Sequence, residues 1–272
     1  MTAPVRLRPR ATLALAASGI IGVAAFGWPL LVDPAAGIAH GTDAPWTFAL
    51  LLPLVLAVVL AEISEGGMDA KAIAMLGVLS ALGAAIRPLG AGTAGIETVF
   101  FLLVLGGRVF GPGFGFVLGN TMLFASALLT GGIGPWLPYQ MLAAAWVALG
   151  AGLLPRLTGR AELALLAGYA ALASLLYGLL LNLSFWPFAL SAGSTGLSFQ
   201  PGGALLDNLV RLVAFSLATS LGWDIGRAVT TTVLVLVTGP VLLRTLRRAA
   251  RKAAFQTALT KGGQDQSVTT DR

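Results

Sequence analysis

The sequence contains no cysteine and only one histidine, His40, among its 272 residues. Without cysteine it has no disulfide, no thiolate nucleophile and no cysteine metal site, and one histidine cannot form a histidine cluster around a metal. Charged residues are also scarce, at 10% of the chain against roughly 25% in ordinary soluble domains. Because a soluble fold of this size needs more surface charge, the composition predicts a protein embedded in a lipid bilayer.

The positive charge is concentrated at the two ends of the chain. Residues 1–10 and 244–272 hold ten of the 17 basic residues and two of the 11 acidic ones. Basic ends around an apolar body are typical of membrane topology, in which positive charge stays on the cytoplasmic side. The pattern argues against a nucleic-acid partner. It also makes the cluster formed by Arg244, Arg247, Arg248, Arg251 and Lys252 a candidate for contact with anionic lipid.

Apolar segments of membrane-spanning length recur along the chain. A spanning helix needs roughly 20 residues, with a lower limit of about 17. The sequence predicts an all-α integral membrane protein with about eight crossings, at residues 11–32, 46–62, 70–86, 96–109, 113–130, 137–154, 161–183 and 225–243. An even number of crossings places both termini on one side, and their basic residues indicate the cytoplasmic side.

Two segments differ from this pattern. Residues 205–222 are apolar but contain Asp207, Asn208 and Arg211. A ninth crossing there would move the basic tail outside, so we predict a re-entrant or interfacial helix. The apolar stretch at the N-terminus follows basic residues, as in a signal peptide, but no small-x-small cleavage site follows it. We therefore predict a retained membrane anchor.

Motifs of ATP hydrolysis and metal-dependent chemistry are absent from the sequence. It contains neither the phosphate-binding loop G-x-x-x-x-G-K-[ST] nor the zinc motif H-E-x-x-H, and no repeated aspartate pattern of a metal-dependent lipid transferase. We therefore expect no enzymatic activity and no resident cofactor or metal. Active transport by this chain would have to draw its energy from a partner or from an ion gradient.

Polar and aromatic side chains gather at the predicted outer ends of the spans. Ionisable groups at membrane depth are costly and indicate function, and apolar walls with a few fixed polar groups are typical of ligand sites. The candidate substrate-binding residues are Arg87, Glu97, Trp136, Tyr139, Gln140, Asn182, Trp186 and Asp224. Two other interpretations remain open: an interfacial aromatic belt for the aromatic residues, and a structural ion pair for Arg87 with Glu97. Arg108, near the inner face, is expected to set topology.

The third predicted span carries small residues at a helical spacing of three or four. These residues are Ala70, Ala74, Gly77, Ala81 and Ala85. Small side chains on one face let another helix approach closely in lipid. The sequence leaves open whether that helix belongs to this chain or to a partner.

Three consecutive stretches resemble the first core helices of the substrate-binding S components of energy-coupling factor vitamin transporters. They are residues 71–87 (KAIAMLGVLSALGAAIR), 100–116 (FFLLVLGGRVFGPGFGF) and 132–146 (GIGPWLPYQMLAAAW). The resemblance implies a six-helix substrate-binding core at residues 67–246. It leaves residues 1–66 as a two-helix extension outside the usual pattern, and residues 247–272 as a basic, then polar, cytoplasmic tail.

The resemblance also implies a function. An S component binds one micronutrient from outside a bacterial cytoplasmic membrane and delivers it through a T component driven by ATP-hydrolysing subunits, and the small-residue face of its first core helix docks the T component. The GPWLPYQM stretch and residues 186–188 and 220–224 look most like actinobacterial members assigned to cobalamin. Two alternatives are a membrane-embedded enzyme that modifies lipids, with Arg87, Glu97 and Asp224 as its reactive groups, and a secondary transporter that needs no ATPase.

Overall fold

The computed structural model describes residues 9–31, 68, 70–90, 93–190 and 195–268, together with the helical positions 52, 55–57, 59, 60 and 63; side chains are described in these ranges except at 9–11, 14, 31 and 252–268. Within these residues the chain is all-helical. The helices are α1 (Pro9–Leu31), α2 (Ala70–Ile86), α3 (Phe100–Phe110), α4 (Pro112–Thr130), α5 (Leu137–Leu153), α6 (Gly159–Ala189), α7 (Leu205–Thr219) and α8 (Leu221–Val268), with a 3-10 turn at Arg87–Leu89.

Four of these helical stretches are long and apolar enough to cross a membrane: Ala70–Leu89, Pro112–Thr130, Gly159–Ala189 and Leu221–Arg251. Shorter apolar helices cover Leu15–Leu30, Phe100–Phe110 and Leu137–Leu153. The all-α class is therefore confirmed for the described residues, and the apolar helices are compatible with a membrane-embedded protein. The total of eight crossings stays a prediction, because the segment 46–62 lies largely outside the described residues.

The predicted segments coincide closely with the helices, with three differences besides the greater length of α6, which continues to Ala189. Helix α3 begins at Phe100 rather than at residue 96, so Glu97 lies in the loop before it. The apolar segment 205–222 is divided at Ser220 into α7 and the start of α8. Helix α8 continues through Val268, so the predicted tail at 247–272 is largely a continuation of that helix.

Helices α3, α4 and α5 form the tightly packed centre of the bundle. Gly107 of α3 and Gly115 of α4 lie directly against the backbone of Ala148 in α5, and Gly119 lies against Ala145. A side chain at any of these glycines would collide with the neighbouring backbone. In lipid the hydrophobic effect does not drive helices together, because lipid tails are as apolar as the side chains. Close backbone contact of this kind therefore supplies much of the energy that holds a membrane bundle together.

Candidate functional site

The ion pair between Arg87 and Glu97 closes the loop from α2 to α3. The Nε of Arg87 lies 3.4 Å from Oε1 of Glu97, and the two side chains are 19% and 18% exposed. Nη1 of Arg87 also donates to Oγ of Ser126 in α4, at 3.4 Å. The hydroxyl of Thr98 donates to the carbonyl oxygen of Ile86 at 2.7 Å, which ties the two ends of the loop together.

A second ion pair lies in the first turn of α8. Nη1 of Arg227 donates to Oδ1 of Asp224 at 2.8 Å, and also to the carbonyl oxygen of Ser174 in α6 at 3.2 Å. The Asp224 carboxylate lies against Gly178 of α6, where no side chain intervenes. The Nε of Arg227 is buried and has no hydrogen-bond partner among the described residues. An unpaired buried donor of this kind calls for an explanation, and a bound ligand is one.

Tyr177 of α6 joins the two ion pairs. The guanidinium carbon of Arg227 lies 5.0 Å from the centre of the Tyr177 ring and 5.8 Å from the centre of the Phe100 ring. The two rings meet edge to face, with centroids 4.7 Å apart. Phe100 begins α3 three residues after Glu97, so these ring contacts link Arg227 to the segment that carries Glu97. We call these residues, Arg87, Glu97, Tyr177, Asp224 and Arg227, the Tyr177 cluster.

The loop after α2 is held on the first turn of α8, which brings the two ion pairs together. Gly95 has a φ of 75° and lies against the backbone of Trp223, while Gly226 lies against the carbonyl oxygen of Ala94. Only glycine fits at either contact, because a Cβ would meet backbone atoms of the other segment. Ala94 itself has a φ of 46°, which is uncommon for a residue with a side chain.

Asn182 extends the polar groups toward α7. Its Nδ2 donates to Oγ of Ser216 at 3.1 Å and to Oγ of Ser220 at 2.7 Å, and its Oδ1 accepts from Ser220 at 3.0 Å. Ser220 lies one helical turn before Asp224, so Asn182 is near the Tyr177 cluster. The side-chain amide of Asn182 therefore forms hydrogen bonds with α7 and with the residue before α8, and holds these two segments together.

The predicted site residue Trp186 lies in a separate apolar cluster. It is fully buried, and its Nε1 donates to the carbonyl oxygen of Leu197 at 2.6 Å. Its ring meets Phe199 edge to face at 5.3 Å, and Leu212 and Phe215 of α7 complete the cluster. Trp186 therefore fastens the segment before α7 to the end of α6.

The three predicted residues around the start of α5 lie in different environments. Trp136 is 55% exposed, as expected for a residue of an interfacial belt. Tyr139 is buried and packs edge to face on Phe26 of α1, with centroids 5.1 Å apart. Gln140 is half-buried. The structure thus brings Arg87, Glu97 and Asp224 together, with Asn182 beside them, and places Trp186 and Tyr139 in apolar packing.

A second charged cluster, which the sequence did not predict, joins three helices. Oε1 of Glu162 in α6 accepts from Nε of Arg108 in α3 at 2.7 Å and from Nη2 of Arg247 in α8 at 2.6 Å. Arg108 also donates to the carbonyl oxygen of Leu154 at 2.9 Å. We call Arg108, Glu162 and Arg247 the Glu162 triad. A signal was available in the sequence, because Glu162 is the only acid between Glu97 and Asp207.

The predicted docking face of α2 is uncovered. All five of its small residues, Ala70, Ala74, Gly77, Ala81 and Ala85, are exposed. The opposite side of the helix is buried through Leu76, Leu79 and Gly83, the last of which lies against Met122 of α4. Helix α2 therefore uses one side to pack on the bundle, and no helix among the described residues covers its small-residue side.

Among the residues that the structure describes, no group of three acidic or histidine side chains could hold a metal ion. No protein-family model matches the sequence, and neither a curated protein nor a solved structure matches the chain. Function is therefore inferred from the side chains and from the resemblance of the three core stretches.

Proposed function

We propose that this chain is the substrate-binding S component of an energy-coupling factor transporter in a bacterial cytoplasmic membrane, with both termini in the cytoplasm. It binds one vitamin from outside, cobalamin in the favoured case, and delivers it through a T component and ATP-hydrolysing subunits. The observation that carries the proposal is the Tyr177 cluster, in which the loop that carries Glu97 packs on α8 at Gly95 and Gly226 and so places two ion pairs from distant parts of the chain in one region of an apolar helical bundle.

The chemistry of the Tyr177 cluster suits a polar ligand with little net charge. Its two arginines are matched by two carboxylates, so the cluster is electrically balanced without a ligand charge. The buried Nε of Arg227 offers a donor, and the rings of Phe100 and Tyr177 offer apolar walls. Apolar walls with a few fixed polar groups are the usual construction of a small-molecule site. A vitamin that carries amide groups meets these requirements.

The exposed small-residue face of α2 supports the part of the proposal that concerns the T component. Ala74, Gly77 and Ala81 would let a helix of the T component approach closely in lipid. Because the sequence carries no phosphate-binding loop, transport driven by ATP would draw its energy from other subunits. A binding component with a free helix face therefore fits this division of labour.

Ligand content tests the binding role. The protein, purified in mild detergent from cells supplied with a vitamin mixture, should carry near-stoichiometric corrinoid in its visible absorption spectrum and in mass spectrometry of the released molecule. Arg227→Gln should empty the site, whereas Arg211→Gln, on α7, should not. Another bound vitamin would replace cobalamin within the proposal. A folded protein that retains and binds no vitamin would contradict it.

Complex formation tests the docking role. Replacement of Ala74 and Ala81 by Leu should prevent co-purification with a co-expressed T component and its ATPases, since bulky side chains keep the helices apart. Vitamin content should stay at the wild-type level. The matched control replaces Ala161 and Ala164, exposed alanines of α6, by Leu. Normal assembly and transport by the α2 variant would remove the docking assignment.

A further inference from the structure

One face of α8 changes abruptly from apolar to basic. Val233, Val237 and Val241 are exposed and follow one another at a spacing of four residues. Arg244, Arg248 and Arg251 continue the same face at spacings of three and four, and all three are exposed. Because residues three or four apart lie on one side of a helix, the basic side chains begin where the lipid-facing apolar surface ends.

A neighbouring helix adds to this basic end. The Glu162 triad joins the first turn of α6 to α8 through Arg247, with Nη2 and Oε1 2.6 Å apart. Arg160 lies in that turn and Arg156 lies just before α6, and both are exposed. The triad therefore holds the basic residues of α6 beside those of α8.

The acid at this end cannot neutralise the exposed arginines. Glu162 is buried, and its carboxylate is shared between Arg108 and Arg247. Among the residues of α6 and α8 whose side chains the structure describes, the other acid is Asp224, which lies about 30 Å along α8 from Arg244 at 1.5 Å per residue. Asp265 lies about 20 Å along the helix beyond Arg251 at the same rise. Among the described side chains, none of these exposed arginines has a carboxylate partner.

We propose that Arg244, Arg248 and Arg251 of α8, with Arg156 and Arg160 beside them, bind the phosphate groups of anionic phospholipids. The position at the border of the apolar face is the depth of lipid headgroups, and arginine binds phosphate through two parallel hydrogen bonds. Each juxtamembrane basic residue raises the affinity for anionic lipid by roughly five-fold. The inference does not depend on the proposed transport function.

Lipid competition tests the proposal. The full-length protein in mild detergent is given equimolar phosphatidylglycerol and phosphatidylcholine with identical acyl chains, and native mass spectrometry measures the lipid retained. We expect phosphatidylglycerol to be preferred. The triple variant R244Q/R248Q/R251Q should lower that preference by about ten-fold or more. The charge-conserving variant R244K/R248K/R251K should keep most of it, and Arg211→Gln should leave it unchanged.

Equal retention of the two lipids by the wild-type protein would overturn the proposal. A triple variant that keeps the preference for phosphatidylglycerol would also overturn it. The same holds if the triple variant loses a co-purifying protein partner while its lipid preference is unchanged, since the arginines would then bind protein. If the triple variant does not fold, the effect of salt on the lipid preference of the wild-type protein tests the proposal instead. Screening by roughly 0.5 M salt should abolish most of the preference, and a preference that is insensitive to salt would contradict headgroup binding.

Discussion

The Tyr177 cluster and the Glu162 triad are both charged groups inside one apolar bundle, yet they are built differently. In the Tyr177 cluster each arginine has its own carboxylate, the Arg87–Glu97 contact is 3.4 Å long, and one buried donor is unpaired. In the Glu162 triad two arginines share one carboxylate through contacts of 2.7 Å and 2.6 Å. The first arrangement leaves hydrogen-bonding capacity for a ligand, and the second uses its carboxylate to hold helices together.

The two clusters also differ in the secondary structure that carries their residues. Arg108, Glu162 and Arg247 all lie on helices, so their positions are fixed by the packing of α3, α6 and α8. Glu97 instead lies in the loop after α2, which is held on α8 by backbone contacts at Gly95 and Gly226. Loops positioned on a rigid scaffold commonly carry binding residues. Under the proposed function, the Glu162 triad stabilises one end of the bundle and the Tyr177 cluster binds the ligand at the other.

The largest expected effect is a loss of stability on replacing Glu162 by Gln. Removal of the carboxylate leaves Arg108 and Arg247 without their counter-charge, and loss of one partner from a buried ion pair costs about 3–5 kcal/mol. Thermal unfolding in a single detergent, followed by circular dichroism, should show a clear fall in Tm for Glu162→Gln. The bound vitamin content of the protein that remains folded should be unchanged.

The corresponding change in the Tyr177 cluster is Glu97→Gln. Because Glu97 is partly exposed and its contact with Arg87 is long, we expect a loss of roughly 1 kcal/mol or less together with reduced vitamin binding. Equal losses of stability in the two variants would show that the two clusters have the same structural role, and the comparison would then fail.

An intermediate effect is expected from Gly226→Ala. The new methyl group would meet the carbonyl oxygen of Ala94 and move the loop after α2 away from α8. We expect vitamin affinity to fall by about ten-fold, which corresponds to about 1.4 kcal/mol, with little change in Tm. Vitamin binding and Tm, measured on the same preparations, check this.

Gly222→Ala is the matched control, because position 222 lies in the same turn of α8 with open space around it. Since the sequence has no native cysteine, spin labels attached to cysteines at the exposed positions 93 and 221 report the loop directly. The distance between the labels should lengthen in Gly226→Ala and stay constant in Gly222→Ala. An unchanged distance in Gly226→Ala would remove the structural basis of the prediction, whatever the affinity.

Hydropathy predicted the helices well because burial in lipid is a property of each segment by itself. The segment 70–86 coincides with α2, and 113–130 and 137–154 differ from α4 and α5 by one residue. The predicted 161–183 is shorter than α6 because hydropathy detects the apolar stretch, whereas the helical hydrogen bonds continue to Ala189.

The predicted site residues include three of the four charged members of the Tyr177 cluster but neither Arg227 nor Tyr177, which joins the two ion pairs. Arg87, Glu97 and Asp224 attract attention because charge is rare in this chain. Tyr177 depends on how α6 is rotated against α8, with Gly178 against Asp224, and this rotation leaves no trace in hydropathy. The Glu162 triad was missed for the same reason, since its members come from three helices distant in the chain.

An effect on stability alone is expected for Trp186, for which the sequence allowed either a ligand role or a place in an interfacial aromatic belt. In the structure its indole donates to the carbonyl oxygen of Leu197 from a fully buried position. Trp186→Phe keeps most of the apolar packing and removes this hydrogen bond, so we expect a loss of about 1 kcal/mol in stability. Trp136→Phe, at an exposed position, should leave Tm unchanged.

Vitamin content should be normal in both variants, because Trp186 lies with Phe199 and Phe215 rather than beside Tyr177. A loss of vitamin from Trp186→Phe with an unaltered Tm would instead extend the binding site to the end of α6, and the boundary between binding and structural residues would have to move with it.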